Sequence, residues 1–208
     1  MARWISARSR RKAELAGFAA SRRWAFTGCD DRWARIARRL PFGTGLYRLA
    51  DDVMLGPVLH YRGVAFSYTG GSGSSRVRAG VYALELPVEL PWVHVRAELP
   101  GEGVARLLGG QDIELESEDF NRAYRVTSED PRFAYDLLCP RTMEELVAFR
   151  RLTVQVAGRF LVATGGRKLD LAWFDFVLGL LARMVDRLPD YVWTSRGVVP
   201  PRRGSAII

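Results

Sequence analysis

The chain alternates between two hydrophobic periods, 3.6 and 2, and each switch predicts a change of element. From Ser9 to about Arg23, Leu15, Phe18, Ala19 and Arg22 share a helix face. Trp24–Thr27 reads as a short strand. Asp30 predicts an N-cap, followed by Trp33, Ile36, Ala37 and Leu40 at i, i+3, i+4, i+7 spacing, with Pro41 closing a second helix. Residues 45–56, 57–69 and 76–87 then alternate with period 2 and predict three strands. Gly56-Pro57 predicts the first turn between them, and Gly70–Ser75 a hairpin tip. Trp92–Ala97 predicts a fourth strand.

Beyond a loop at Gly101–Gly110 the texture becomes dense and acidic. Ile113–Glu116 predicts a strand, and Ser117 with Glu118 and Asp119 predicts a capped helix start. Tyr124–Thr127 predicts another strand. Asp130-Pro131 and then Pro140 each start a helix, with proline at a first-turn position where its missing N–H costs nothing. Leu152–Ala157 and Arg159–Thr164 predict a tight hairpin about Gly158. A closing amphipathic helix spans Asp170 to about Leu188, with Leu171, Phe174, Val177, Leu178, Leu181, Val185 and Leu188 as its apolar stripe. These elements predict a single α+β domain over 9–194, an antiparallel β meander packed by N- and C-terminal helices, flanked by flexible segments at 1–8 and 195–208.

Charge changes this picture at one end only. Residues 1–48 carry 12 Lys/Arg against 3 Asp/Glu, a net of +9, whereas 49–208 carry 19 against 20, a net of −1. The basic excess therefore belongs to the N-terminal segment, at Arg10, Arg11, Lys12, Arg22, Arg23, Arg32, Arg35, Arg38 and Arg39 among others. Such a segment, interleaved with Trp4, Ile5, Trp24 and Trp33, suits an acidic partner or an anionic membrane surface. Nucleic acid is the alternative, without a supporting motif. No apolar run approaches the roughly 18 residues of a membrane span, and no apolar stretch follows the basic N-terminus as in a secretory signal. Two distant cysteines, Cys29 and Cys139, predict a reduced, cytoplasmic protein, at most peripheral to the membrane.

The stretch ELESEDFNRAYRVTSEDPRFAYDLLCPRTMEEL resembles the bacterial DUF3137-type family, in its actinobacterial branch. The resemblance rests on Glu116, Ser117, Phe120, Val126, Asp130, Leu137, Leu138 and Pro140, with a hairpin about Gly158 and a helix ending at Leu188-Pro189. It is firmest over 111–190. It implies no activity, because the family has none established, and no catalytic residues.

Candidate chemistry is sparse. Glu114, Glu116, Glu118 and Asp119 read as a solvated strand face and helix cap rather than paired acids, and they lack the alternation and glycine of a calcium loop. His60 and His94, both on predicted strands, would form an acid–base or metal pair only if the fold joined them. Cys29 before Asp30 would be activated only at a helix N-terminus. Gly70–Gly73 lacks the Lys-Ser/Thr ending of a phosphate loop. No catalytic, cofactor-binding or metal residues are assigned. The sequence favours a non-catalytic interaction domain, with an enzyme of unrecognised type built on His60, His94 and nearby carboxylates as the remaining alternative.

Overall fold

A computed structural model describes residues 2–37, 39, 41–42, 47–71, 73, 76–97, 113–149 and 152–201, the side chains of 2–8 excluded. Among the described residues one sheet of eight strands runs in the order β1-β2-β3-β4-β8-β7-β5-β6, every neighbouring pair antiparallel. The strands are β1 (Ala25–Gly28), β2 (Arg48–Val58), β3 (Tyr61–Gly70), β4 (Val77–Glu85), β5 (Val93–Ala97), β6 (Tyr124–Ser128), β7 (Thr153–Ala157) and β8 (Phe160–Gly165). The β7–β8 hairpin, turning on Gly158 at φ +60, inserts between the β1–β4 meander and the β5–β6 pair. Helices are α1 (Ala2–Ser21), α2 (Glu118–Ala123), α3 (Pro131–Leu137), α4 (Pro140–Ala148), α5 (Phe174–Asp186) and α6 (Asp190–Thr194). The predicted α+β class, with helices at both ends of an antiparallel sheet, is what the chain adopts.

Alternation on the strands divides two cores. Tyr82 and Leu84 of β4, with Leu161 and Ala163 of β8, face a large core closed by α1, α5 and the α2–α4 segment. Val81, Ala83 and Val162 face the other way, under Ala34, Ala37 and Phe42. Phe174, at the start of α5, meets Phe18 of α1 and Trp24 edge-on at 5.0 and 4.8 Å, so three elements lock at one aromatic corner.

Several expectations are corrected. The N-terminal helix starts at Ala2 rather than Ser9, so residues 2–8 belong to it. Ala2, Arg3, Ala7 and Arg8 are strong helix formers, and propensity extends the helix beyond the amphipathic stripe. The second helix shrinks to a 3-10 turn at Trp33–Arg35. The Asp30 carboxylate is taken by Arg32, two residues on, through its backbone N–H at 3.3 Å and its guanidinium at 3.0 and 2.8 Å. Asp30 N–H donates to Ala50 O at 3.1 Å, and Asp31 Oδ1 accepts from Ala50 N at 3.0 Å. The segment is thus spread along β2 as cover for the second core.

The predicted turn at Gly56-Pro57 lies inside β2, and the chain turns at Leu59-His60 instead. Gly56 pairs with Gly63 across the ladder, and the Trp24 indole lies over both; a β-carbon at either would collide with it. Trp24 Nε1 donates to Pro57 O at 3.0 Å. β1 reaches only Leu55, so Pro57 stands where β2 has become an edge. The predicted strand Ile113–Glu116 does not form: Asn121 Nδ2 donates to Leu115 O at 2.7 Å while its Oδ1 accepts from Leu115 N at 3.1 Å, replacing a strand partner. The tail does not loosen at Ser195. α6 follows Pro189, buries Trp193, and holds the backbone N–H groups of 195–198. The predicted 101–110 loop and residues 202–208 lie outside the described residues.

Candidate functional site

The basic N-terminal residues divide into tethers and exposed cations. Arg11 is half-buried. Its Nε donates to Asp52 Oδ2 at 3.2 Å and its Nη2 to Leu169 O at 2.9 Å. Asp52 sits at φ +58 in the β2 bulge, a conformation that a short polar side chain tolerates, and also accepts from Ser67 Oγ at 3.1 Å. Ser67 Oγ in turn accepts from Leu169 N at 3.1 Å. The four residues close a ring that joins α1 to the β8–α5 connection.

Arg22 grips Asp175 bidentately, Nη2 to Oδ2 at 2.6 Å and Nε to Oδ1 at 2.9 Å, and its guanidinium lies 3.8 Å over the Phe18 ring. That bond holds the Asp175 carboxyl below the usual carboxylate range, against a smaller opposing effect of burial. Arg32 does the same to Asp30. Arg39 stacks 3.3 Å over Trp92, reaching the start of β5. Arg10, Lys12, Arg23 and Arg35 are exposed; Arg23 terminates α1 at φ +59. Arg38 lies outside the described residues. The fold therefore spends four of the candidate cations on itself and leaves four facing water.

The histidines do not meet. His60 occupies the β2–β3 turn and His94 lies on β5, four strand spacings from β3, or about 19 Å. His60 instead lies against Tyr61, the rings tilted at 43° with centroids 4.1 Å apart, and its Nε2 is 3.1 Å from Asp186 Oδ1 at an angle that makes no hydrogen bond. Tyr61 Oη donates to the same carboxylate at 2.8 Å, and burial first, then Asp186, pushes its phenol far above the usual range. A 340 Å³ cavity opens beside them between Arg62, Glu85, Arg159 and Pro201. Among the described residues its lining holds no serine, threonine or cysteine for His60 and Asp186 to activate. Among the described residues no three His, Cys, Asp or Glu side chains are grouped to hold a metal.

Cys29 runs opposite to an activated thiolate. No helix starts behind it, and burial, with Asp31 and Asp51, pushes its thiol up. Glu114 and Glu116 are exposed and Leu115 buried, as a solvated face requires. Ser117 Oγ accepts from Phe120 N at 3.3 Å and Asp130 Oδ1 from Phe133 N at 3.1 Å, both acting as caps.

Sequence reasoning passed over the β8–α5 connection. Gly166, Arg167 and Lys168 are exposed, and behind them a 180 Å³ cavity lies between Tyr82, Leu152, Trp173 and Val177. Tyr82 Oη donates to Asp170 O at 2.8 Å and accepts from Asp170 N at 3.1 Å; burial pushes its phenol up to about 12. The available signal was a Gly-Gly-Arg-Lys run followed five residues later by Trp173.

Among the described residues no helix is long and apolar enough to cross a membrane. No protein-family model matches the chain, and no curated protein matches it in sequence. Among solved structures the chain is similar to the mycobacterial trehalose monomycolate transport factor A, TtfA, with a TM-score of 0.58 over 86% of this chain and 96% of that one. The two are 14% identical, so the likeness establishes a shared fold and nothing about a shared site.

Proposed function

We propose that this protein is a non-catalytic interaction domain of the cytoplasm that meets an anionic membrane surface through its basic N-terminal helix. The observation that carries the reading is the division of labour on α1. Leu15 and Ala19, in its second half, are buried against the sheet, whereas Arg10 and Lys12 are exposed and unused by the core. The sequence adds Arg3 and Arg8 to the same helix and no acid before Glu14. At about 1 kcal/mol per cation near an anionic surface, four such residues favour attachment by roughly a thousandfold at low salt.

The structural neighbour is a transport factor, and an accessory role for this chain agrees with that. Kinship with the DUF3137 type is part of the same proposal and is supported by the Ser117 and Asp130 caps of α2 and α3. The test is co-sedimentation with vesicles of phosphatidylcholine alone and with a third of phosphatidylglycerol. Binding is expected only to the anionic vesicles, with release by salt. Equal, negligible binding to both removes the reading, and retention of duplex DNA with a steep salt dependence would replace it.

A further inference from the structure

We propose that the β8–α5 connection and the apolar cavity behind it form a second part of this surface, which takes the end of one acyl chain of an anionic lipid. The inference rests on the membrane reading above and adds a loop, a cavity and a ligand class to it.

The connection is held rigidly. Leu169 is buried, its N–H bound to Ser67 and its carbonyl to Arg11. Lys168 O presses on β4 where Gly80 lacks a side chain; a β-carbon there would lie 2.5 Å away. Asp170 is pinned at both backbone groups by Tyr82. Arg11 ties α1 to Leu169; Arg10 and Lys12 flank Arg11 in the chain, Arg167 and Lys168 precede Leu169, and all four are exposed. The nearby acids are largely engaged: Asp52 by Arg11, Asp175 by Arg22, and Asp170 Oδ1 by Ala172 N at 3.0 Å, with Glu14 exposed.

The cavity is walled by Leu152, Val177, Trp173 and the Tyr82 ring together with Gly165, Gly166 and Asp170, and Arg167 and Lys168 lie in the chain between the lining residues Gly166 and Asp170. Trp173 is 39% exposed and meets Phe149 edge-on at 5.4 Å. A tryptophan with an apolar body and an exposed edge suits the level of lipid headgroups. At 180 Å³ the cavity is below the roughly 300–1,000 Å³ of a whole-ligand site. It fits the end of a chain whose charged head stays with Arg167 and Lys168, which is the chemistry of an anionic lipid.

Two measurements on the full chain test the proposal. In co-sedimentation with phosphatidylglycerol vesicles, R167Q/K168Q is expected to bind about 25-fold more weakly, about fivefold for each cation removed. Phosphatidylglycerol brominated along its acyl chains is expected to quench wild-type tryptophan fluorescence, and Trp173→Phe, which keeps the aromatic packing, is expected to lose most of that quenching. Wild-type affinity in R167Q/K168Q, or unchanged quenching in Trp173→Phe, overturns the inference while R10Q/K12Q still reports on α1 alone. No binding by the wild type removes both readings together.

Discussion

The N-terminal helix and the segment from Ile113 to Phe149 are both largely helical, yet they are held in opposite ways. α1 is fixed by a few apolar contacts and by charge pairs to residues far along the chain, Arg11 to Asp52 and Arg22 to Asp175. α2 and α3 are fixed by caps three residues away, from Ser117 and Asp130, and α2, α3 and α4 by a continuous core. Phe120 and Tyr124 stack at 5.1 Å, and Tyr124 Oη binds the carbonyls of Leu146 and Phe149 at 2.9 and 3.0 Å. Across α4 and α5, Glu145 takes both Arg183 and Arg187. Local caps and burial respond little to salt, whereas exposed ion pairs are screened. On the proposed membrane reading, a helix tethered by charge would adjust to a charged surface with little effect on the core beneath it.

That contrast breaks first in the core. Phe120 is fully buried at the centre of the 113–149 segment. Phe120→Ala is expected to cost about 3–5 kcal/mol, read as a lower urea midpoint at unchanged slope. A loss below about 1 kcal/mol would mean that the segment is peripheral to stability and that the contrast with α1 is wrong. A smaller step tests the caps. Asp130→Ala is expected to cost about 1 kcal/mol, and the loss should persist in 1 M salt because it removes a hydrogen bond to Phe133 N at short range.

Two aspartates explain how much of the fold was legible in the sequence. Asp30 and Asp130 both precede helically spaced apolar residues. Asp130 caps as expected because Pro131 presets the first turn and Phe133 N–H is three residues on. Asp30 does not, because Arg32 captures its carboxylate and Ala50 captures its backbone, and Ala50 is distant in sequence. The hairpin about Gly158 and the stripe of α5 were legible for the same local reason. The place of Gly56 was not, since its meaning lies in the approach of Trp24 from another strand. The candidate site was half legible. The sequence shows where the cations are, but the partners that tie Arg11 and Arg22 inward lie 41 and 153 residues away. Only the Arg11 bond to the Leu169 carbonyl, 158 residues away, links the loop that carries Arg167 and Lys168 to α1.

The smallest expected effect is the most specific to the charged tether. Arg22 and Asp175 are 34% and 65% exposed, so solvent screening limits the pair to a few tenths of a kcal/mol despite its bidentate geometry. Arg22 holds the folded Asp175 carboxyl below its ordinary value near 3.9. A depressed carboxyl contributes stability that is fully present above the unfolded value and is lost as pH falls through the lower folded one. Wild type and Asp175→Asn should therefore differ by a constant few tenths of a kcal/mol from about pH 5 to pH 7. The gap should narrow as pH falls through the lowered folded value, and it should shrink in 1 M salt at neutral pH. A series of urea titrations from pH 7 downward measures this. A gap above about 1 kcal/mol that survives high salt would place the Arg22–Asp175 pair with the buried determinants of the 113–149 segment, and α1 would then be fixed as firmly as α2–α4.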